Sequence, residues 1–340
     1  MQHFKFIQNN LFAFTKIRNG ETKIGEKIQL IEETSQWEKE IRKSKARFVV
    51  FGICESIGVQ ANFGIGGTET AFHSFLQAFC NVQQNQFLQG ESILLLGNFD
   101  FSPILKKTKD ASVEYLRDLV NVIDEEVSFL VEAIVAHNKV PLIIGGGHNN
   151  AYGNIKGSAK GMHRQGKMEQ INVLNFDAHA DFRPLEGRHS GNGFHYAMHD
   201  NFLHQYAMLG LHENYMTQEM WGRIKKNDSI LPIFFEDIAI RKKYAGKKAI
   251  ELVLQFLDKT PCGVEIDLDC IENVLSSAMT PSGFSVTEIR KYLYQFQSKI
   301  KPVYLHICEG AEVLSSGKTQ PTIGKLITYL VTDFIKNYNG

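Results

Sequence analysis

With 340 residues the chain is long enough to bury a large core, and 37 Lys and Arg residues balance 37 Asp and Glu. That balance leaves no global field to steer it onto nucleic acid or an anionic membrane, so a small molecule is the expected partner. No apolar run approaches the roughly 20 residues of a membrane-spanning helix, and the opening MQHFKFIQNN lacks the basic-then-apolar pattern of a secretory leader, so a cytoplasmic location is expected.

Along the chain, apolar runs of strand length recur at 46–53, 92–99, 141–144, 171–176, 206–211, 231–235, 262–268 and 303–308, which makes eight candidate strands. Between the second and third, Ser112 to Ala136 places Val113, Leu116, Leu119, Val120, Ile123, Val127, Leu130 and Ile134 on one face of a helix. Continuous apolar strands separated by amphipathic helices describe a mainly parallel sheet covered on both faces, a three-layer α/β fold. There is no internal repeat and no Pro/Gly/Ser-rich linker, so one domain over 1–340 is expected, with 1–45 an N-terminal extension of no clear pattern. The five cysteines, Cys54, Cys80, Cys262, Cys270 and Cys308, form no C-x-x-C pair and read as reduced, mostly buried small side chains.

In a parallel sheet the active site collects at the C-terminal ends of the strands. Three runs end in metal-binding side chains: PLIIGGGH in His148, INVLNFDAHAD in Asp177, His179 and Asp181, and GVEIDLD in Asp267 and Asp269. Alternate residues of an extended segment share a face, so each group can converge as its strand runs out. Taken singly, a G-G-G-H is a tight turn and a D-x-D a solvated strand end. Together they crowd four carboxylates, whose mutual repulsion cations would relieve. Oxygen and nitrogen donors without thiolate suit a hard ion such as Mn²⁺, although zinc, cobalt or iron could use the same ligands.

In these motifs and their order the chain resembles the ureohydrolases (arginase, agmatinase and formimidoylglutamase), whose signatures are G-G-x-H, D-A-H-x-D and D-x-D on an arginase-like αβα fold. The resemblance runs from about Phe48 to Ile335. It implies two Mn²⁺ per chain, one held by His148, Asp177, Asp181 and Asp267, the other by Asp177, His179, Asp267 and Asp269. It further implies a hydrolase that attacks an amidine-type carbon, with Asp181 orienting and deprotonating the attacking water. Glu309, just past VYLHIC, falls where the family engages the amidine or guanidine group. His195, in HSGNGFHYA, resembles the loop histidine that passes a proton to the leaving amine. A homo-oligomer is expected on the same ground.

Substrate choice lies in the loops. GICESIGVQANFGIGG (52–67), Arg183 two places after Asp181, and YAMLGLHENY (206–215) resemble formimidoylglutamases, whereas Ser190, Gly191 and Asn192 are arginase-like. An arginine near the mouth would pair with a substrate carboxylate, which makes Arg183 and Arg188 the candidates. Ser190 and Asn192 are candidate substrate contacts. The sequence departs from the family pattern at Gly310 and Ala311 after Glu309, and at Asn149 after His148. The favoured activity is hydrolysis of N-formimidoyl-L-glutamate to L-glutamate and formamide. Arginase or agmatinase activity is the alternative, and a single-zinc deacetylase-like enzyme or a non-catalytic metabolite binder stands further off.

Overall fold

The computed structural model describes residues 1–8, 11–105 and 111–339. Its sheet runs in the order β1-β3-β2-β4-β9-β8-β5-β6-β7. The strands are β1 (Phe4–Phe6), β2 (Phe48–Cys54), β3 (Ile93–Asp100), β4 (Val140–Ile144), β5 (Ile171–Phe176), β6 (Leu203–Leu211), β7 (Ile230–Phe234), β8 (Cys262–Asp267) and β9 (Leu305–Cys308). Each of the eight expected runs yields a strand, but the described sheet has nine. The extra one, β1, is three residues long and lies antiparallel on the β3 edge, pairing Phe4 with Phe99 and Phe6 with Gly97. Three residues carry no readable period, and backbone pairing recruits them. Gly97 permits the approach, since a Cβ there would sit 2.0 Å from the Lys5 carbonyl oxygen.

Alternation then assigns the two faces. Val49, Phe51, Ile143, Val173, Tyr206 and Met208 point towards the helices Val113–Ala136 and Asn150–Arg164. Val50, Leu142, Ile144, Leu174, Val264, Ile266 and Ile307 point towards Ala71–Phe79, Gly246–Phe256, Val286–Gln297 and Ile323–Asn339. The result is the expected helix–sheet–helix layering. Ser112 starts the long helix by accepting a hydrogen bond from the Tyr115 amide, as an N-cap should. All pairings other than β1–β3 are parallel, so the carboxyl ends of β4, β9, β8 and β5 open on one edge in the middle of the sheet.

Candidate metal centre

Beyond β4 the backbone turns sharply at Gly145 and Gly146, with φ of 86° and 76°, and delivers His148 just before the helix Asn150–Arg164. The buried Glu55 carboxylate braces this turn by accepting from Gly147 N at 2.9 Å and Asn150 Nδ2 at 2.7 Å. The same carboxylate holds the next loop through Ile57 N at 2.6 Å and Gly58 N at 3.2 Å. After β5, Asp177 Oδ1 accepts from His179 N at 2.6 Å while Oδ2 accepts from Asn175 Nδ2 at 2.9 Å. At the end of β8, Asp267 Oδ1 accepts from Asp269 N at 2.8 Å. Asp181 and Glu309 stand in the left-handed region, with φ of 43° and 61°. Such backbone costs of the order of 1–3 kcal/mol per residue and is typically retained where it aims a side chain.

The six expected ligands meet. His148 Nδ1 lies 2.8 Å from Asp181 Oδ2, 3.1 Å from Asp267 Oδ2 and 3.2 Å from Asp177 Oδ2. His179 Nδ1 lies 3.0 Å from Asp269 Oδ2 and 3.7 Å from Asp177 Oδ1. These atoms fall into two groups, His148/Asp177/Asp181/Asp267 and Asp177/His179/Asp269, each within 4.8 Å. Asp177 belongs to both groups, whereas Asp267, expected in both, joins the first alone.

The spacing fits divalent ions, because bonds of about 2.0–2.1 Å around an octahedral ion put neighbouring ligand atoms about 3 Å apart. Asp269 Oδ1 is buried without a hydrogen-bond partner, a donor left over for such an ion. Cys308 lies beside His148 and Asp267, and burial pushes its thiol well above the usual range.

The titratable groups of the cluster are strongly shifted by burial and by one another. Burial and the neighbouring Asp177 raise Asp181 to about 6. Burial with Asp269 and Asp177 raises Asp267 well above the carboxylate range. Burial alone would lower His148 and His179, yet Cys308 with Asp177, Asp181 and Asp267 raises the first, and Asp269 with Asp177 raises the second. Carboxylates crowded in this way around two imidazoles are the arrangement that divalent cations stabilise. Beneath the ligands, Glu265 is held down to about 2 because His306 and His148 outweigh its burial.

Above the ligands opens a cavity of about 270 Å³ lined by Asn62, Asp181, Arg183, Ser190, Tyr215, Thr217, Ser277 and Glu309, among others. Glu309 Oε1 accepts from His148 N at 2.8 Å, and burial raises this carboxyl to about 8. Arg183 borders the cavity and donates through Nε and Nη2 to Glu186 Oε1 at 3.2 and 3.0 Å. Ser190 Oγ accepts from Asn62 Nδ2 at 3.3 Å.

Three expected contacts do not reach the cavity. Arg188 is buried, with Nε 2.8 Å from Asp124 Oδ2 and its guanidinium between the Tyr152 and Tyr196 rings at 4.9 and 5.0 Å. A carboxylate on the helix Val113–Ala136 claims it. Asn192 turns its side chain to Arg188 Nη1 at 2.6 Å and to the Gly187 carbonyl at 2.8 Å. His195 stacks on Phe182 at 4.4 Å and places Nδ1 2.7 Å from the Arg183 carbonyl oxygen, on the outer side of the loop. The neighbouring Phe194 takes the inner side, its ring edge-on to His148 at 5.1 Å.

Sequence reading missed Glu55, Glu265, His306 and Tyr215. Tyr215 stacks on His179 at 4.6 Å and lines the cavity; it ends the 206–215 stretch that resembles formimidoylglutamases, but nothing in that stretch says that this ring faces the ligand cluster. The others carry a signal, a charged residue beside or within a strand that is otherwise apolar.

The family model described as "Arginase family" matches residues 47–331. The chain belongs to the arginase family. A formimidoylglutamase of Streptococcus gordonii is 33% identical to this arginase-family chain over 141 residues, 39% of the chain and 41% of that relative's length. The match therefore spans under two thirds of the relative. The crystal structure of formimidoylglutamase from Bacillus subtilis superposes with a TM-score of 0.75 at 17% identity, covering 96% of this chain and 94% of that one. The structure of a Trypanosoma cruzi formiminoglutamase with Mn²⁺ gives 0.67 at 17%, covering 88% and 97%. Both likenesses concern the fold.

Proposed function

We propose that this chain is a binuclear manganese hydrolase that cleaves N-formimidoyl-L-glutamate to L-glutamate and formamide. The observation that carries the reading is the pair of donor groups sharing Asp177 on the floor of a cavity whose wall holds Glu309 and Arg183. The formimidoylglutamase relative and the Mn²⁺ in the trypanosomal structure support the substrate and the metal. His148, Asp177, His179, Asp181, Asp267 and Asp269 are the ligands, and two ions rather than one zinc account for seven ligand places in two groups. Bound there, the ions supply a water acidic enough to act near neutral pH.

The chain's own groups do the rest. Asp181 reaches both the first donor group and the cavity, so it orients the water and takes its proton. Glu309 accepts from the His148 amide with one oxygen, which fixes its direction, and offers the other to a cationic amidine, whose charge offsets the burial that otherwise keeps this carboxyl protonated. Arg183 exchanges Glu186 for the substrate's carboxylate. Asp181 then returns its proton to the departing glutamate nitrogen as the C–N bond breaks. His195 is left out of this step, since its ring faces Phe182 and the Arg183 carbonyl. Ser190 contributes to the wall, and Asn192 supports it from behind through Arg188. A cytoplasmic homo-oligomer belongs to the same reading.

The test is turnover of Mn²⁺-loaded protein on N-formimidoyl-L-glutamate, L-arginine and agmatine, with formamide and urea resolved by NMR. Formamide from the first substrate alone is the expected result. Urea from either of the others would transfer the assignment to arginase or agmatinase.

A further inference from the structure

The interior of a parallel sheet covered on both faces is normally apolar. Here one register breaks that rule. Asn175, Glu265 and His306 are adjacent partners on β5, β8 and β9, all fully buried, two residues before Asp177, Asp267 and Cys308. With a period of two, this polar row lies on the ligands' own face, one layer below them.

The row is tied together. His306 Nδ1 lies 2.5 Å from Glu265 Oε2, and Tyr304 Oη donates to Glu265 Oε1 at 2.7 Å. His306 Nε2 is 3.2 Å from the carbonyl oxygen of Gly145, the first glycine of the turn that presents His148. Glu265 Oε2 is itself 3.7 Å from His148 Nε2, on the side of the ring opposite the three aspartate oxygens gathered at Nδ1. A buried carboxylate is expensive unless hydrogen bonds and charge compensate it, and this one is compensated by His306 and Tyr304 from below and by His148 from the site itself.

We propose that Glu265, held by His306 and Tyr304, is the positioning residue for His148: its carboxylate, 3.7 Å from Nε2, favours a hydrogen on that nitrogen by charge rather than by a direct hydrogen bond and so leaves Nδ1 for the ion position shared with Asp177, Asp181 and Asp267. This rests on the two-ion reading above. Outer-shell carboxylates of this kind change metal affinity by about 10- to 100-fold. His306 couples the same carboxylate to the Gly145 turn, so ring and loop are set together.

The experiment is a Mn²⁺ titration of the full chain, followed by the electron paramagnetic resonance of free Mn²⁺, for wild type, Glu265→Gln, His148→Ala and the double variant. Wild type is expected to bind two ions. Glu265→Gln weakens one of them by about 10- to 100-fold and leaves the other. In the His148→Ala background, Glu265→Gln has less than about a twofold further effect, because its route to the metal is gone. A full additional loss in that background would mean a merely structural role and overturn the proposal, as would unchanged binding in Glu265→Gln. Should Glu265→Gln fail to fold, Tyr304→Phe removes one of its hydrogen bonds at nearly constant volume. It is expected to weaken the same single site, and two unchanged sites would overturn the proposal. Absence of binding in wild type would instead bring down the metal reading itself.

Discussion

Gly263 and Tyr304 are so close that a methyl group at position 263 would lie 2.1 Å from the Tyr304 ring. The absent side chain leaves room for the ring to lie across β8 and bring its hydroxyl to Glu265. Gly263→Ala therefore forces an overpacked core, at about 1–3 kcal/mol or more. The expected result is a lower melting temperature together with weaker Mn²⁺ binding, because Tyr304 cannot shift without releasing Glu265. A melting temperature equal to wild type would show that the strands yield easily there.

Among the described residues, Asp177 is the one candidate ligand shared by both donor groups. Asp177→Asn should accordingly disturb both ions, and Asp181→Asn only the ion on the His148 side. Ligands that bind the native state stabilise it by about 2.7 kcal/mol at a hundredfold excess over Kd. Adding Mn²⁺ should raise the wild-type melting temperature and EDTA should reverse the rise, with Asp177→Asn responding to neither. Metal content per chain after dialysis, read by atomic emission, checks the same ordering.

The convergence of the six candidate ligands could be read in the sequence because they sit at strand ends, where a period of two and a halt in apolar residues coincide. Arg188 could not, because the residue that captures it, Asp124, is 64 positions away on a helix whose apolar face conceals one buried carboxylate. His195 and Phe194 differ by one place in a tight loop, and local pattern does not say which faces inward. The nine-strand count escaped for a similar reason, since β1 is defined by what it pairs with.

Arg188 and Asp124 are 3% and 2% exposed. Removing one partner of such a pair strands the other charge, at about 3–5 kcal/mol. Arg188→Met should therefore destabilise the fold in chemical denaturation. It should also disorder the loop carrying Ser190, because Arg188 holds Asn192 at 2.6 Å. Loss of activity without loss of stability would place Arg188 in substrate binding after all.

His189 has a pH signature. Burial, with Arg117 and Arg183 nearby, lowers its imidazole from 6.5 to about 4, against the pull of Glu186. A base whose folded value is depressed is neutral in the native state, while the unfolded chain takes up a proton below 6.5. Its contribution is thus fully present above pH 6.5 and is lost as pH falls towards 4, on the order of 3 kcal/mol in all. His189→Asn can still accept from Gly191 N, as Nδ1 does at 3.1 Å. Its stability should fall less steeply than wild type across that window in EDTA-treated protein, and parallel curves would exclude His189 as the source.

Arg183 and Glu186 form an exposed pair at the cavity mouth, with side chains 46% and 34% exposed, so the pair itself adds little to stability. Its consequence is for binding. A substrate carboxylate must displace Glu186 from the guanidinium, and the amidine end does not meet Arg183. Arg183→Ala should raise KM for N-formimidoyl-L-glutamate by about 10- to 100-fold, as expected for a charged hydrogen bond of about 1.5–3 kcal/mol. The kcat should change little, because the lost contact is equal in ground and transition states. Glu186→Gln frees the guanidinium and should lower KM. If both substitutions depressed kcat and left KM alone, the pair would be shaping the loop around Asp181 rather than receiving the substrate.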